Sequence, residues 1–195
     1  AGRPMLAHLL ATLRPLGLDP VVVVGRGMDA VFEAAAPHRT VVQDPPLGTG
    51  HAVLAARDAL DGLVDGVLVL YGADPLILPE TVTAVLAARK QNPEPAIVVL
   101  GFRAGDPGAY GRLVTAGDGS LEAIVEAGDA TPEQLEITLC NSGVMAIDGK
   151  HLWGLLDRLG DDNAKGEYYL TDIVRLARED GLPCAVVEGD EAELI

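Results

Sequence analysis

The sequence predicts an α/β domain with a doubly wound, mostly parallel sheet and a small mixed-sheet lobe in its second half. Three observations predict it. Short apolar runs at 21–24, 40–43, 67–71 and 96–102 alternate with helix-periodic stretches, the rhythm of parallel strands joined by crossover helices. Two of these runs lead into glycine-marked segments, Leu47-Gly48-Thr49-Gly50-His51-Ala52 and Tyr71-Gly72-Ala73-Asp74-Pro75-Leu76. After residue 102 the rhythm changes, and 112–115 and 121–126 flank Gly117-Asp118-Gly119, a hairpin turn signal.

Each element has a local reason. Pro4 suits the first turn of a helix, and Met5, Leu6, Leu9, Leu10 and Leu13 follow at helical spacing until Gly17 ends it. The continuous valine run at 21–24 predicts a strand buried on both faces. Residues 31–36 predict a short helix, 40–43 a second strand and 50–60 an Ala-rich helix. A third buried strand is expected over 67–71, a helix over 80–89 behind Pro79, and a fourth strand over 96–102. The second half predicts the two antiparallel strands, a long strand at 138–147, helices at 151–158 and 170–178, and a last strand at 184–187. No repeat, low-complexity segment or linker interrupts the pattern, so residues 1–195 read as a single domain.

Composition bounds the function. Apolar residues make up 49 % and charged residues 22 %, which is globular, and aromatics only 4 %, so the core is built from Val, Leu, Ala and Ile. A net charge of −15 argues against a nucleic-acid partner and against an anionic membrane. A small anionic ligand stays compatible, because glycine-loop amides, Lys or Mg²⁺ make a pocket locally positive. Cys140 and Cys184 each lie within an apolar run and read as buried small hydrophobes in a reducing, cytoplasmic compartment. No apolar run approaches the roughly 20 residues of a membrane span, and no signal peptide is visible. The chain starts Ala1-Gly2-Arg3-Pro4 without Met and ends Glu193-Leu194-Ile195; both ends read as cuts in a longer protein.

The motifs point to one pocket, since open α/β sheets bind ligands at the carboxyl ends of their strands. Gly48 and Thr49 offer backbone N–H groups to a ligand edge, with no Cβ in the way at the glycine. Gln43, just upstream, carries an amide that donates and accepts at once, which suits the imide edge of a pyrimidine base. A plain strand-to-helix turn with Thr49 as N-cap accounts for the same spacing. His51 is expected to cap or pack the helix start. Asp74, beside Pro75, is either an ordinary turn residue or a carboxylate for Mg²⁺, a hard cation held by one or two carboxylates and phosphates. Gly108-Ala109-Tyr110-Gly111-Arg112 is a loop or a lid over a sugar ring, and Glu126 a strand-end charge. Asn141 lies inside an apolar strand and needs partners, a sugar hydroxyl among them. In the polar run 163–172, Tyr168 and Tyr169 suit sugar recognition, Lys165 a phosphate, and Thr171 a helix start.

Taken together, LGTGHA, YGADPLI, GYGR, IVEAGDAT, NSGVMAI and NAKGEYYLTD resemble the N-terminal uridyltransferase domain of the bacterial bifunctional GlmU enzymes, from Gly2 to about Val187. The resemblance implies a Rossmann-like fold of the nucleotide-diphospho-sugar transferase type with a sugar-binding lobe. It implies that Gln43, Gly48 and Thr49 recognise uracil, with Tyr71 and Gly72 lining the nucleotide and sugar site. It places Gly111, Glu126, Asn141, Tyr169 and Thr171 around N-acetylglucosamine. The implied reaction joins UTP and N-acetylglucosamine 1-phosphate into UDP-N-acetylglucosamine and pyrophosphate with Mg²⁺, supplying peptidoglycan, lipopolysaccharide and other envelope polysaccharides. No covalent enzyme intermediate is implied.

The chain departs from that pattern in three places. The family's LAAGxGTRM phosphate-binding loop and following Pro-Lys do not occur in the sequence. The family's metal-binding Asp directly follows the Tyr-Gly pair; here that position is Ala73, and an Asp stands one place later, at Asp74. The family's second metal ligand, an Asn after the last strand, has no match, nor has its acetyltransferase domain, through which such enzymes form homotrimers. Two other readings therefore stay open: a non-catalytic nucleotide-sugar binding module or dead paralogue, and a related sugar-1-phosphate nucleotidyltransferase.

Overall fold

Helix α1 (Met5–Leu13) continues into a tight turn at Arg14–Leu16 and stops at Gly17, which adopts a left-handed φ of 67°. The computed structural model describes residues 2–60 and 65–194 of the chain, so Ala1 and Ile195, read above as cut ends, lie outside it. Strands β1 (Val21–Gly25) and β2 (Arg39–Gln43) flank helix α2 (Asp29–Ala35) and pair in parallel, Val21 opposite Arg39 through Gly25 opposite Gln43. Helix α3 (Thr49–Ala55), strand β3 (Gly66–Val69), helix α4 (Pro79–Ala88) and strand β4 (Ile97–Arg103) follow. The expected rhythm is therefore present up to residue 103.

The second half holds β5 (Arg112–Thr115), β6 (Leu121–Val125), the short helix α5 (Pro132–Leu135), β7 (Leu139–Asp148), α6 (Gly149–Leu156), α7 (Asp172–Glu179), β8 (Cys184–Gly189) and α8 (Glu191–Leu194). Strands β5 and β6 form the predicted hairpin, its turn closed by Gly119 at a φ of 84°. The α5 turn was not foreseen, although Thr131 and Gln134 form a reciprocal capping box whose spacing is visible in the sequence.

Strand β7 organises the larger sheet. Its first half pairs with β4 and β5 and its second half with β4 and β3, all antiparallel, while β4 pairs with β8 in parallel. The β5–β6 hairpin is thus continuous with the α/β core through one ten-residue strand rather than a detached lobe. Alternation along β4 and β7 fills both faces. Ile97, Val99, Met145 and Ile147 pack with α6 and α7. Val98, Leu100, Phe102, Val144 and Ala146 pack with α1, α4 and α8. Cys140 and Cys184 are buried free thiols, as expected, and burial pushes the Cys184 thiol up to about 11.

The β1–β2 pair is not bonded to this sheet among the described residues. Between β1 and β3 runs an apolar cavity of about 980 Å³, floored by Leu6, Leu9 and Leu10 of α1 and by Ala52 and Val53 of α3. This corrects two expectations. Of the valines at 21–24 only Val24 is fully buried, and β3 is half-buried, because both strands face the cavity on one side. The Ala-rich helix also ends at Ala55 instead of residue 60, giving way to a separate turn at Asp58–Leu60.

One buried ion pair fixes the end of β7. Asp148 accepts from the Lys150 backbone at 2.8 Å, capping α6, and pairs with Arg89 at 2.8 Å. Burial raises its carboxyl, but the Lys150 N–H and the Arg89 guanidinium outweigh this and hold it below its ordinary value. A depressed carboxylate stabilises the fold above its unfolded-state pKa and ceases to do so as pH falls through its folded value. We expect Asp148→Asn, which can still cap α6, to lower the thermal midpoint at pH 7. The gap to the parent should close below about pH 4, the ordinary carboxylate range, as read by pH-dependent thermal denaturation.

Candidate functional site

Two loops that are distant in sequence are stitched together beside the cavity. The Tyr168 N–H donates to Leu47 O at 2.8 Å and the Gly50 N–H to Tyr168 O at 2.8 Å. The Leu170 N–H donates to Thr49 Oγ1 at 2.9 Å. Thr49 therefore does not cap its own helix: the cap position is Gly48, without a side-chain cap bond. Gly48 has a φ of 116°, and a Cβ there would lie 2.7 Å from Tyr168 O. No other residue fits this crossing.

Gln43 ends β2 beneath this junction. Its Nε2 donates to Gly48 O at 2.9 Å and lies 3.0 Å from His51 Nδ1. Because Gly48 O can only accept, the NH₂ group faces the loop and the Gln43 carbonyl oxygen is turned away from it. Neither the Gly48 nor the Thr49 N–H meets an acceptor among the described residues. The loop thus presents one acceptor and two donors together. His51 was expected to cap or pack; its role as a partner of the Gln43 amide was missed, since a contact across eight residues carries no local sequence signal.

Tyr71 follows β3 and joins the two halves of the site. Its ring lies over Gly143, whose φ is 88° and where a Cβ would come within 1.9 Å of the ring. Gly143 was also missed, although a lone glycine inside an apolar strand pattern signals close backbone approach. Burial raises the Tyr71 hydroxyl, as does nearby Glu126, while a hydrogen bond with Thr49 lowers it. Glu126, at the end of β6, accepts from Thr171 Oγ1 at 3.0 Å. The Asn141 N–H donates to Gly111 O at 2.8 Å, and Asn141 Oδ1 accepts from the Gly143 N–H at 2.9 Å. A Cβ on Gly111 would meet Asn141 and Glu126 Oε1, each at 3.6 Å. Tyr169 is buried, its hydroxyl raised by burial and then by Asp129, Glu126 and Glu167.

The structure therefore brings together Gln43, Gly48, Thr49, Tyr71, Gly111, Glu126, Asn141, Tyr169 and Thr171. Gly72 stands apart from this network, in an exposed turn where Tyr71, Gly72 and Ala73 line the cavity. Asp74 donates its N–H to Tyr71 O at 3.2 Å, and its Oδ2 is buried without a partner. Burial raises its carboxyl above the ordinary range, opposed by the Tyr71 backbone. In this turn, beyond the end of β3, Ala73 is exposed while Asp74 is partly buried. No cluster of three or more His, Cys, Asp or Glu side chains suited to a metal occurs among the described residues. No helix among them is long and apolar enough to cross a membrane.

A family model described as MobA-like NTP transferase domain matches residues 1–136. The chain belongs to this family. Among curated relatives it is 58 % identical to a protein named bifunctional protein GlmU from Paramagnetospirillum magneticum, over the whole chain and 43 % of that protein. It is 57 % identical to the protein of the same name from Rhodospirillum rubrum and 47 % to that from Rhizorhabdus wittichii, covering the whole chain and 44 % of each. The chain thus spans less than half the length of these relatives. Residues 137–195, beyond the match to the NTP transferase model, supply Asn141, Tyr169 and Thr171 of the residues brought together here, and also Gly143 and Tyr168, which pack against them.

The site's glycines give a direct test. Gly143→Ala places a methyl into the Tyr71 ring at a left-handed φ, and we expect a loss of about 1–3 kcal/mol in urea unfolding. Gly117→Ala, in the exposed hairpin turn with nothing within 4 Å of its Cβ position, should change stability by less than about 0.5 kcal/mol.

Proposed function

We propose that this chain is the uridyltransferase part of an enzyme that joins UTP and N-acetylglucosamine 1-phosphate. An oxygen of the sugar phosphate attacks the α-phosphorus of UTP. The bond from that phosphorus to the bridging oxygen breaks, and pyrophosphate leaves with UDP-N-acetylglucosamine as the other product. The observation that carries the reading is the orientation of Gln43. With its NH₂ held by Gly48 O and His51, the carbonyl accepts from the N3–H of uracil, while the free N–H groups of Gly48 and Thr49 donate to a flanking uracil oxygen. Cytosine offers an acceptor at that ring nitrogen and is rejected.

In this reading the sugar lies between Gly111, Glu126, Asn141, Tyr169 and Thr171. Glu126 accepts from a sugar hydroxyl, and the Asn141 amide and Gly111 backbone flank the ring. Tyr71 and Gly72 line the passage between base and sugar. The orphaned Oδ2 of Asp74 fits Mg²⁺, which such sites hold through one carboxylate and the substrate phosphates. When bound, Mg²⁺ neutralises the charge that develops on the phosphates. The chain's own residues align the sugar phosphate with the α-phosphorus, and positioning of this kind supplies most of the rate in phosphoryl-type transfers. Cytoplasmic location, supply of envelope polysaccharides and trimer formation of the whole enzyme belong to the same proposal.

Calorimetric titration with UDP-N-acetylglucosamine, and with UDP-glucose as control, tests it. Selective binding of the N-acetyl sugar is expected, with Gln43→Ala weakening it about tenfold, the cost of one buried hydrogen bond. Equal binding of both sugars, or no binding by a folded sample, contradicts it. Asp74 gives a second test. A raised folded-state carboxyl loses stability as pH climbs through its folded value, so ionised Asp74 is a burden on the metal-free fold. Asp74→Asn should raise the thermal midpoint at pH 7.5 without Mg²⁺ and remove the Mg²⁺ dependence of nucleotide-sugar binding.

A further inference from the structure

Arg112 is the one basic side chain among the described residues that is almost fully enclosed, at 3 % exposure. Such a charge is ordinarily paired with a carboxylate, yet Arg112 forms no ion pair among the described residues. Its guanidinium donates only to backbone carbonyls: Gly108 at 3.1 Å, Pro107 at 3.4 Å, Leu135 at 3.4 Å, and Tyr110. Three of these belong to the loop that immediately precedes Gly111. The fourth is the end of α5, so the side chain ties that loop to a separate element.

The loop has little else to hold it. Its other bonds are short-range ones, the Gly108 N–H to Asp106 at 3.2 Å and the Tyr110 N–H to Pro107 O at 3.0 Å, and the Tyr110 ring meets Phe102 edge-on at 5.1 Å. The next residue of the chain, Gly111, sits against Glu126 and Asn141, and its N–H meets no acceptor among the described residues. A planar fork with five donors can gather several carbonyls at fixed angles; a lysine ammonium cannot.

We infer that Arg112 is a positioning residue for sugar selection: its carbonyl clamp sets the 107–110 loop so that the Gly111 N–H faces the sugar subsite. This rests on the uridyltransferase reading above. It predicts an effect confined to the sugar half of the ligand, because Gln43, Gly48 and Thr49 are held by a different set of bonds.

The test compares UDP with UDP-N-acetylglucosamine on the 195-residue chain by calorimetry, in the parent, in Arg112→Lys and in Arg112→Met. Arg112→Lys keeps the cation and the aliphatic stem, so it carries the test if Arg112→Met does not fold. In Arg112→Lys we expect the dissociation constant for UDP-N-acetylglucosamine to rise at least tenfold and that for UDP to stay within twofold. Faster amide hydrogen exchange at 108–111, with unchanged exchange in β4 and β7, should accompany it. An unchanged sugar increment in Arg112→Lys overturns the inference, as does equal weakening of both ligands, which marks a general structural role. A parent chain that binds UDP but gains nothing from the sugar overturns the sugar-subsite reading itself, and the inference with it.

Discussion

Everything at the site depends on the crossing of two loops at Gly48. Tyr168 sits against the 47–50 loop through backbone bonds on both sides, to Leu47 and from Gly50, and Thr49 accepts from Leu170. The crossing is possible because Gly48 takes a φ of 116° with no Cβ to meet Tyr168 O. It joins the end of β2 to the segment leading into α7, elements more than a hundred residues apart. Without it, Gln43 would lose Gly48 O as its fixed partner, and Thr171 would not be held next to Glu126. The groups proposed to face the base and those proposed to face the sugar thus share one mechanical support.

The support is polar and local, but what it rests on is apolar. Strands β4 and β7 bury both faces, so the carboxyl end of β4 and the start of β7 stay in a fixed register near Gly111 and Asn141. The break in that register between Val99 and Gly101 lies opposite the segment that carries Gly143, where the strand turns its backbone toward Tyr71. Strands β2, β6 and β7 therefore deliver Gln43, Glu126 and Asn141 at or beside their ends, whereas the adjoining loops deliver Gly48, Gly111 and Tyr169. This division matches the way ligand sites are built at the ends of α/β sheets.

Much of this was legible in the sequence. Alternating strands and helices fixed the class, and Gly117-Asp118-Gly119 announced the hairpin. The motifs quoted for the resemblance contained nearly every residue now seen in the network. What was not legible has physical reasons. Val21 to Val23 read as fully buried, because a valine run reports preference for a sheet interior and not whether the neighbouring edge is covered. The bond between Gln43 and His51, the roles of Gly143 and Leu170, and the carbonyl clamp of Arg112 are tertiary pairings, invisible to periodicity. The slip from Ala73 to Asp74 was visible as a departure; the structure adds that the shifted carboxylate turns inward and leaves one oxygen unpartnered.

The most direct test of the account is a crystal structure of the chain grown with UDP-N-acetylglucosamine. Uracil is expected edge-on to Gln43, Gly48 and Thr49, and the N-acetyl sugar between Gly111, Glu126, Asn141 and Thr171, with the 47–50 and 168–171 loops still bonded to each other. Nucleotide-sugar density in the apolar cavity between β1 and β3 instead, or a bound ligand with those two loops parted, would contradict the account.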